Sequence, residues 1–339
     1  MGLQISEIVP RQEITFDDLK GKVIAVDAFN TLYQFLTTIR QPDGTPLMDS
    51  KGRITSYLSG LFYRTINLVS KGIKLVFVFD GKAPELKEAT HVARAAVKEE
   101  AEARFETAET MEERAKYAAR ISYLTKEMID ESKELLDALG IPVVQAPGEG
   151  EAQAAFMAAQ EKVYASASQD YDSLLFGAPK LIQNLTLATR RKTSSGVYVN
   201  ISPQMIELQK VLNSLQINRE QLICLGILVG TDYNPKGVVG IGPKNALKIV
   251  KQYKSPAIIF REVAKTKEVN FDWQEIFHEF SKPNVTKHYD IKFKPVNEEK
   301  VKRILVHEHE FSDERISNGL AKLKEVKESL KQKDLKRFF

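Results

Sequence analysis

Leu75-Val76-Phe77-Val78-Phe79-Asp80 is an unbroken run of aliphatic and aromatic residues closed by a carboxylate, and Val23-Ile24-Ala25-Val26-Asp27 repeats the device. Short apolar runs of this kind are the mark of strands buried on both faces. Between them, residues 29–39 and Ser56 to Lys71 read as helices, the second with Leu58, Leu61, Phe62, Thr65 and Leu68 on one face. Gln41-Pro42-Asp43-Gly44 marks a turn. Strand, helix and strand in this order predict an α/β fold, with a mainly parallel central sheet and helices on both sides. Further strands are predicted at 142–145, 163–168, 180–183 and 196–199, with a polar basic loop at 190–195. From Ser202 onward the chain reads mainly helical, and Ser312 to Lys331 is one helix. Residues 84–139 are rich in Ala, Glu, Lys and Arg and read as two to four helices, partly standing off the body.

Acidic residues recur just beyond the apolar segments. Asp27 and Asp80 close two strands, Glu149 and Glu151 flank Gly150 ahead of an Ala-rich helix, Asp170 and Asp172 follow the run at 163–168, and Asp232 follows the apolar helix Leu222 to Val229. In a parallel sheet such positions gather at the carboxyl edge, where these sheets build their sites. The pairs Glu149/Glu151 and Asp170/Asp172 would each aim to one side if the chain were extended there. A single Asp past a strand is more often a cap or a turn. Seven in similar settings predict a cluster that needs cations. Hard oxygen ligands with almost no His or Cys nearby select Mg²⁺, with Mn²⁺ as the other ion that fits. Two ions about 4 Å apart can activate a water and stabilise both oxygens of a phosphodiester displacement.

Composition narrows the classes. The chain has 339 residues, of which 43% are hydrophobic and 28% charged, and the net charge is only +4. A large core is available, and basic character is local rather than global. Cys224 is the only cysteine, set in Leu222-Ile223-Cys224-Leu225, so it reads as a buried structural thiol, with no intrachain disulfide or thiolate metal site. Met1-Gly2-Leu3-Gln4 lacks the charged and apolar regions of a signal peptide, and no apolar stretch is long enough to span a bilayer. A soluble, cytoplasmic protein with no membrane partner is therefore expected.

Four more features bear on binding. Lys87, His91, Arg94 and Lys98 share one face if helical and begin just after Asp80, so they could hold a phosphate over the acidic cluster; the plainer reading is a solvated helix face. Gly240-Ile241-Gly242-Pro243-Lys244-Asn245-Ala246 joins two helices, with Pro243 at a first helical position and Lys244, Lys248 and Lys251 on one face of the second. This predicts a helix-hairpin-helix DNA-binding element at about 220–254 that reads backbone phosphates, against the alternative of a plain helix–helix turn. The end of the chain, Gln332-Lys333-Asp334-Leu335-Lys336-Arg337-Phe338-Phe339, carries two aromatics without a local core, as an anchor for another protein would. Tyr33, in the helix after Asp27, is either a core aromatic or a stacking platform for a base.

Taken together these residues resemble the structure-specific 5′ nuclease superfamily, and most closely the archaeal flap endonucleases. The resemblance runs from Met1-Gly2 to the tail. The family's seven metal-site acids match Asp27, Asp80, Glu149, Glu151, Asp170, Asp172 and Asp232, in Val26-Asp27-Ala28, Phe79-Asp80-Gly81-Lys82, Gly148-Glu149-Gly150-Glu151-Ala152, Gln169-Asp170-Tyr171-Asp172-Ser173 and Gly230-Thr231-Asp232-Tyr233. The resemblance implies catalytic roles for Lys87 and Arg94 in a helical arch at about 84–139 over the active site. It implies DNA contacts at Gly2, Tyr33, Lys98, Gly240, Gly242, Lys244 and Lys248, and a K⁺ ion at the hairpin. Gln332, Leu335, Phe338 and Phe339 match the motif that docks on the sliding clamp (PCNA). Ala95-Ala96-Val97 departs from the family, whose arch is usually more basic here. The absence of a basic segment after the clamp motif implies an archaeal source.

The organisation expected is one nuclease domain over 1–331, made of an N-terminal region 1–98, the arch and an internal region 140–260, followed by the clamp-binding tail 332–339. The function expected is a monomeric Mg²⁺-dependent 5′ flap endonuclease, with associated 5′-3′ exonuclease activity. It would cut branched DNA to 5′-phosphate products in lagging-strand maturation and long-patch base excision repair. Two Mg²⁺ ions, held mainly by Asp80, Glu151, Asp170 and Asp172, would activate the water. The alternatives are a 5′ exonuclease or bubble-cutting repair nuclease of the same superfamily, and a clamp-recruited DNA-binding scaffold without turnover.

Overall fold

The computed structural model describes residues 3–41, 43–82, 84–87, 124–186, 190–192 and 198–335, with positions 104, 107 and 110. Its strands are β1 (Gln12–Glu13), β2 (Val23–Asp27), β3 (Lys74–Phe79), β4 (Val143–Gln145), β5 (Ala165–Ala167), β6 (Lys180–Gln183), β7 (Arg190–Lys192), β8 (Tyr198–Asn200) and β9 (Gln204–Glu207). Seven of them form one sheet in the order β1-β9-β6-β5-β2-β3-β4. β2 to β6 run parallel, β9 pairs antiparallel with β6, and β1 pairs antiparallel with β9. β2 is central. The chain first builds outward from it to β3 and β4, then returns to its other flank for β5 and β6. That reversal opens a crevice at the carboxyl ends of β2 and β5.

The helices are α1 (Ala28–Thr38), α2 (Ser56–Ser70), α3 (Lys126–Ala138), α4 (Gly150–Ala159), α5 (Asp172–Leu175), α6 (Leu208–Leu215), α7 (Arg219–Val229), α8 (Pro243–Tyr253), α9 (Pro256–Ala264), α10 (Trp273–Ser281), α11 (Glu298–Lys302) and α12 (Asp313–Leu335). Alternate residues of the central strands face opposite layers, as the strand period requires. Ile24, Val26, Leu75, Phe77 and Phe79 pack with Leu32, Phe35, Phe62, Leu135 and Leu320, from α1, α2, α3 and α12. Ala25, Val76 and Val78 pack on the other side with Ala154, Met157 and Ala158 of α4. Burying each large side chain stabilises by roughly 1.5–3 kcal/mol, so the double cover fixes which strand ends meet. A third cluster joins α7 to α8, α9 and α10 through Leu222, Leu225, Val250, Phe260 and Phe280.

The expected α/β architecture is borne out, with local corrections. The region after Ser202 does not begin as helix, because Gln204–Glu207 is strand β9. Its brief polar–apolar–apolar–polar pattern is weak alone, but the edge of β6 supplies a ladder for it. Arg190 to Lys192, read as loop, pairs with Tyr198 to Asn200 in a separate two-stranded sheet. A backbone ladder of this kind does not require apolar side chains. The final helix reaches Leu335, beyond the predicted Lys331. The helices read across 88–123, including the arch, fall outside the described residues apart from positions 104, 107 and 110. Among the described residues no helix is long and apolar enough to cross a membrane.

Candidate active site

The crevice at the carboxyl ends of β2 and β5 receives the predicted acids. Asp27 ends β2 and caps α1, accepting a hydrogen bond from the backbone N–H of Asn30 at 3.0 Å. Asp80 follows β3 and accepts from the backbone N–H of Gly150 at 2.7 Å. Gly81, next to Asp80, lies so close to the loop after β4 that a Cβ there would sit 2.2 Å from the carbonyl oxygen of Ala146. Its N–H donates to the carbonyl of Gly148 at 2.7 Å, which ties the loop carrying Asp80 to the one carrying Glu149.

The segment from Glu149 to Glu151 is not extended throughout: Glu149 keeps an extended backbone, but the chain turns helical at Gly150. Glu149 is the N-cap of α4 and Glu151 lies in its first turn. Asp172 likewise opens α5. Each acidic pair therefore straddles a helix start, where the partial positive charge of the helix favours carboxylates. Glu151 accepts from the backbone N–H of Ser173 at 3.0 Å and from its hydroxyl at 2.5 Å. The Tyr233 hydroxyl donates to Glu149 at 2.5 Å. Asp170 accepts from the Asn30 side-chain amide at 2.9 Å. Lys87, on a short turn at Glu85–Lys87, lies 3.0 Å from Glu149 and 3.6 Å from Asp232. All seven acids are thereby joined by contacts or by mutual electrostatic influence.

Crowding and burial hold protons on several of them. Burial, then the charge of Asp80, pushes Asp27 up to about 8. Burial, despite the Gly150 hydrogen bond and Lys87, pushes Asp80 up to about 6. Burial and neighbouring carboxylates place Glu151 and Asp172 well above the usual carboxylate range. Burial alone would lower the Lys87 ammonium, but Glu149, Asp232 and Asp80 outweigh it and keep it charged. Carboxylates crowded and buried in this way would be stabilised by added positive charge.

The donor chemistry fits hard divalent cations. The buried Oδ1 of Asp172 has no hydrogen-bond partner among the described residues, although a buried polar atom normally has one. Among the described residues no three acidic, His or Cys side chains are drawn together tightly enough to cage an ion by themselves. Mg²⁺ keeps several waters and takes one or two carboxylates together with phosphate oxygens, so it does not require such a cage.

The other predicted residues divide clearly. Tyr33 lies on α1 and is 42% exposed, so it is not a core aromatic. Gly240 and Gly242 lie in the turn between α7 and α8, with Gly242 as N-cap and Pro243 at the first position. Lys244 and Lys248 are exposed on α8, while Ala246 and Val250 bury its opposite side. The loop joining α7 to α8 also carries Asp232, so the acidic cluster and the hairpin share one connection. Gln332 and Leu335 belong to the backbone of α12. Gly2, His91, Arg94, Lys98, Phe338 and Phe339 lie outside the described residues. Sequence reading missed Asn30, Ser173 and Tyr233. Ser173 and Tyr233 directly follow predicted acids, which was the available signal, whereas Asn30 looks like an ordinary helix-start residue.

Two family models match the chain, the XPG N-terminal domain over residues 3–101 and the XPG I-region over 140–232. Flap endonuclease 1 of Thermococcus onnurineus is 53% identical, over 100% of this chain and 99% of its own length. Among solved structures, flap endonuclease-1 from Methanococcus jannaschii superposes with a TM-score of 0.77 at 41% identity, covering 96% of this chain and 98% of that one. The catalytic core of Rad2 in complex with DNA substrate superposes with a TM-score of 0.69 at 22% identity, covering 92% and 96%. At that identity the likeness is one of fold.

Proposed function

Because the chain belongs to the flap endonuclease family, we propose that it cuts branched DNA at the base of a 5′ flap by Mg²⁺-dependent phosphodiester hydrolysis, in DNA replication and repair. The observation that carries this reading is the convergence of seven acids and Lys87 at the crevice of the sheet, with Asp27, Asp80, Glu151 and Asp172 all raised above the usual carboxylate range by burial.

Asp80, Glu151, Asp170 and Asp172 would hold Mg²⁺ most directly, with Asp27, Glu149 and Asp232 around them. When bound, such ions supply a polarised water and positive charge against that developing on the phosphate. The chain's own residues do the rest. Lys87 is charged and half-buried, and neutralises Glu149 and Asp232 until a phosphate competes for it. Arg94 and Lys98 belong to the same reading through the sequence motif alone. Tyr33 offers an exposed ring midway along α1, where an unpaired base could stack. The hairpin at Gly240 and Gly242, with Lys244 and Lys248, would hold the downstream duplex by its backbone, so recognition is of shape rather than sequence. A K⁺ ion at this hairpin and clamp docking through Gln332, Leu335, Phe338 and Phe339 belong to the same reading, supported by the sequence motifs.

The test is cleavage of an end-labelled double-flap DNA with Mg²⁺ and with EDTA. One Mg²⁺-dependent product within about a nucleotide of the junction is expected, with a D172A rate lower by at least about a hundredfold. Mononucleotide release would indicate an exonuclease, and binding without cutting a scaffold. Near-normal cleavage by D172A would overturn the metal mechanism.

A further inference from the structure

Asn30 lies in the first turn of α1 and touches both flanks of the crevice. Its backbone N–H donates to Asp27 Oδ1 at 3.0 Å. Its side-chain nitrogen donates to Asp170 Oδ2 at 2.9 Å. Its side-chain oxygen accepts from the backbone N–H of Gln169 at 3.4 Å. The last contact fixes the direction of the amide, because only an oxygen can face that N–H, so the NH₂ group must face Asp170. Asp27 ends β2 and Asp170 follows β5, and these strands are neighbours in the sheet. The two carboxylates repel each other, and nothing in the sheet ladder sets how far apart their side chains settle.

We propose that Asn30 is the positioning residue that sets the separation of Asp27 and Asp170, and through it the spacing at which the site accepts divalent ions. This rests on the metal-centre reading above. The chemistry required is narrow. A donor must face Asp170 while an acceptor on the same short side chain faces Gln169. Asp would keep the acceptor and turn a second carboxylate toward Asp170. Leu would fill the volume and offer neither. Gln would offer both, from a side chain one methylene too long.

The test uses the full chain with N30A, N30D and D170A. Mn²⁺ binding is measured by calorimetry without DNA, and single-turnover flap cleavage is followed against Mg²⁺ concentration. Thermal melting and flap-DNA affinity in EDTA serve as controls. N30A is expected to weaken Mn²⁺ binding about 10- to 100-fold, the range for residues that orient metal ligands. It should raise the Mg²⁺ midpoint of cleavage in parallel and leave DNA affinity in EDTA unchanged. N30D should be worse than N30A, and N30A should add little in the D170A background. A drop in melting temperature with wild-type Mn²⁺ affinity and Mg²⁺ midpoint would show a packing residue only and overturn the proposal. Should N30D fail to fold, N30A decides alone. If D170A itself bound Mn²⁺ like the parent chain, the metal-centre reading would fall first.

Discussion

Gly150 shows how tightly single residues constrain this site. A Cβ at that position would lie 2.7 Å from Asp80 Oδ1 and 3.0 Å from the Val78 carbonyl oxygen. The same residue's N–H holds Asp80 at 2.7 Å. G150A is therefore expected to displace Asp80, to lower stability by about 1–3 kcal/mol through overpacking, and to slow single-turnover cleavage at least tenfold. A parental rate in G150A would mean that Asp80 is not held in place from here. The acids also predict how the metal-free protein responds to pH. Asp27 and Asp80 are raised from 3.8 to about 8 and about 6, chiefly by burial. Between the unfolded and folded values the native state binds protons that the unfolded state has lost, so stability falls as pH rises through that window. On the proposed metal-centre reading Mg²⁺ would take the place of those protons, so its stabilisation should grow over the same range. Melting curves at pH 5.5 and 8, with EDTA and with Mg²⁺, should show the metal-free protein melting lower at pH 8 and most of the gap closed by Mg²⁺. A metal-free melting temperature indifferent to pH would contradict this.

The α7–α8 hairpin is a unit whose contribution can be measured separately from the chemistry. Lys244 and Lys248 are exposed, but Lys244 lies 3.3 Å from Glu7, whereas no carboxylate of the described residues pairs with Lys248. Each phosphate contact steepens the salt dependence of DNA binding by about one logarithmic unit. K244A/K248A should therefore reduce the slope of log affinity against log salt by about 1–2, with K248A contributing more than K244A. The single-turnover rate at saturating protein should be nearly unchanged. An unaltered slope would mean that the hairpin does not touch the backbone. Elements differ in how legible they were. β2 and β3 could be read because a short apolar run closed by an acid fits little besides a buried strand that ends at a polar crevice. β9 could not, since Gln204-Met205-Ile206-Glu207 becomes a strand only beside β6. The acids were legible as a set, but their geometry was not. Their two-residue spacing suggests an extended chain, while the structure places each pair at a helix start. Asn30 was invisible for a related reason: its role depends on Asp170 and Gln169, which are distant in sequence.

At the scale of the molecule, a second polar network joins segments that are far apart in sequence. His309, with a side chain only 1% exposed, lies 3.3 Å from Asp49 and 3.3 Å from Glu131. Tyr57 of α2 donates to Glu131, Arg53 to Asp49 and to the carbonyl of Glu308, and Ser50 to Glu310. One imidazole thus joins the loop before α2, helix α3 and the segment ahead of α12, three parts no local sequence pattern would connect. The Glu131 carboxyl is held below its ordinary range, first by the His309 hydrogen bond and also by that of Tyr57, against the opposing effect of burial. A depressed carboxyl gives stability that is present above the unfolded value near 4.5 and lost as pH falls through the folded one. This limb is opposite in sign to that of Asp27 and Asp80, so metal-free stability should peak at mildly acid pH. H309A is expected to cost on the order of 2–3 kcal/mol and to flatten the acid limb, while leaving the loss at higher pH in place. Urea unfolding from pH 3.5 to 8 separates the two limbs. If H309A weakened both equally, the network would be ordinary packing rather than a joint held by charge.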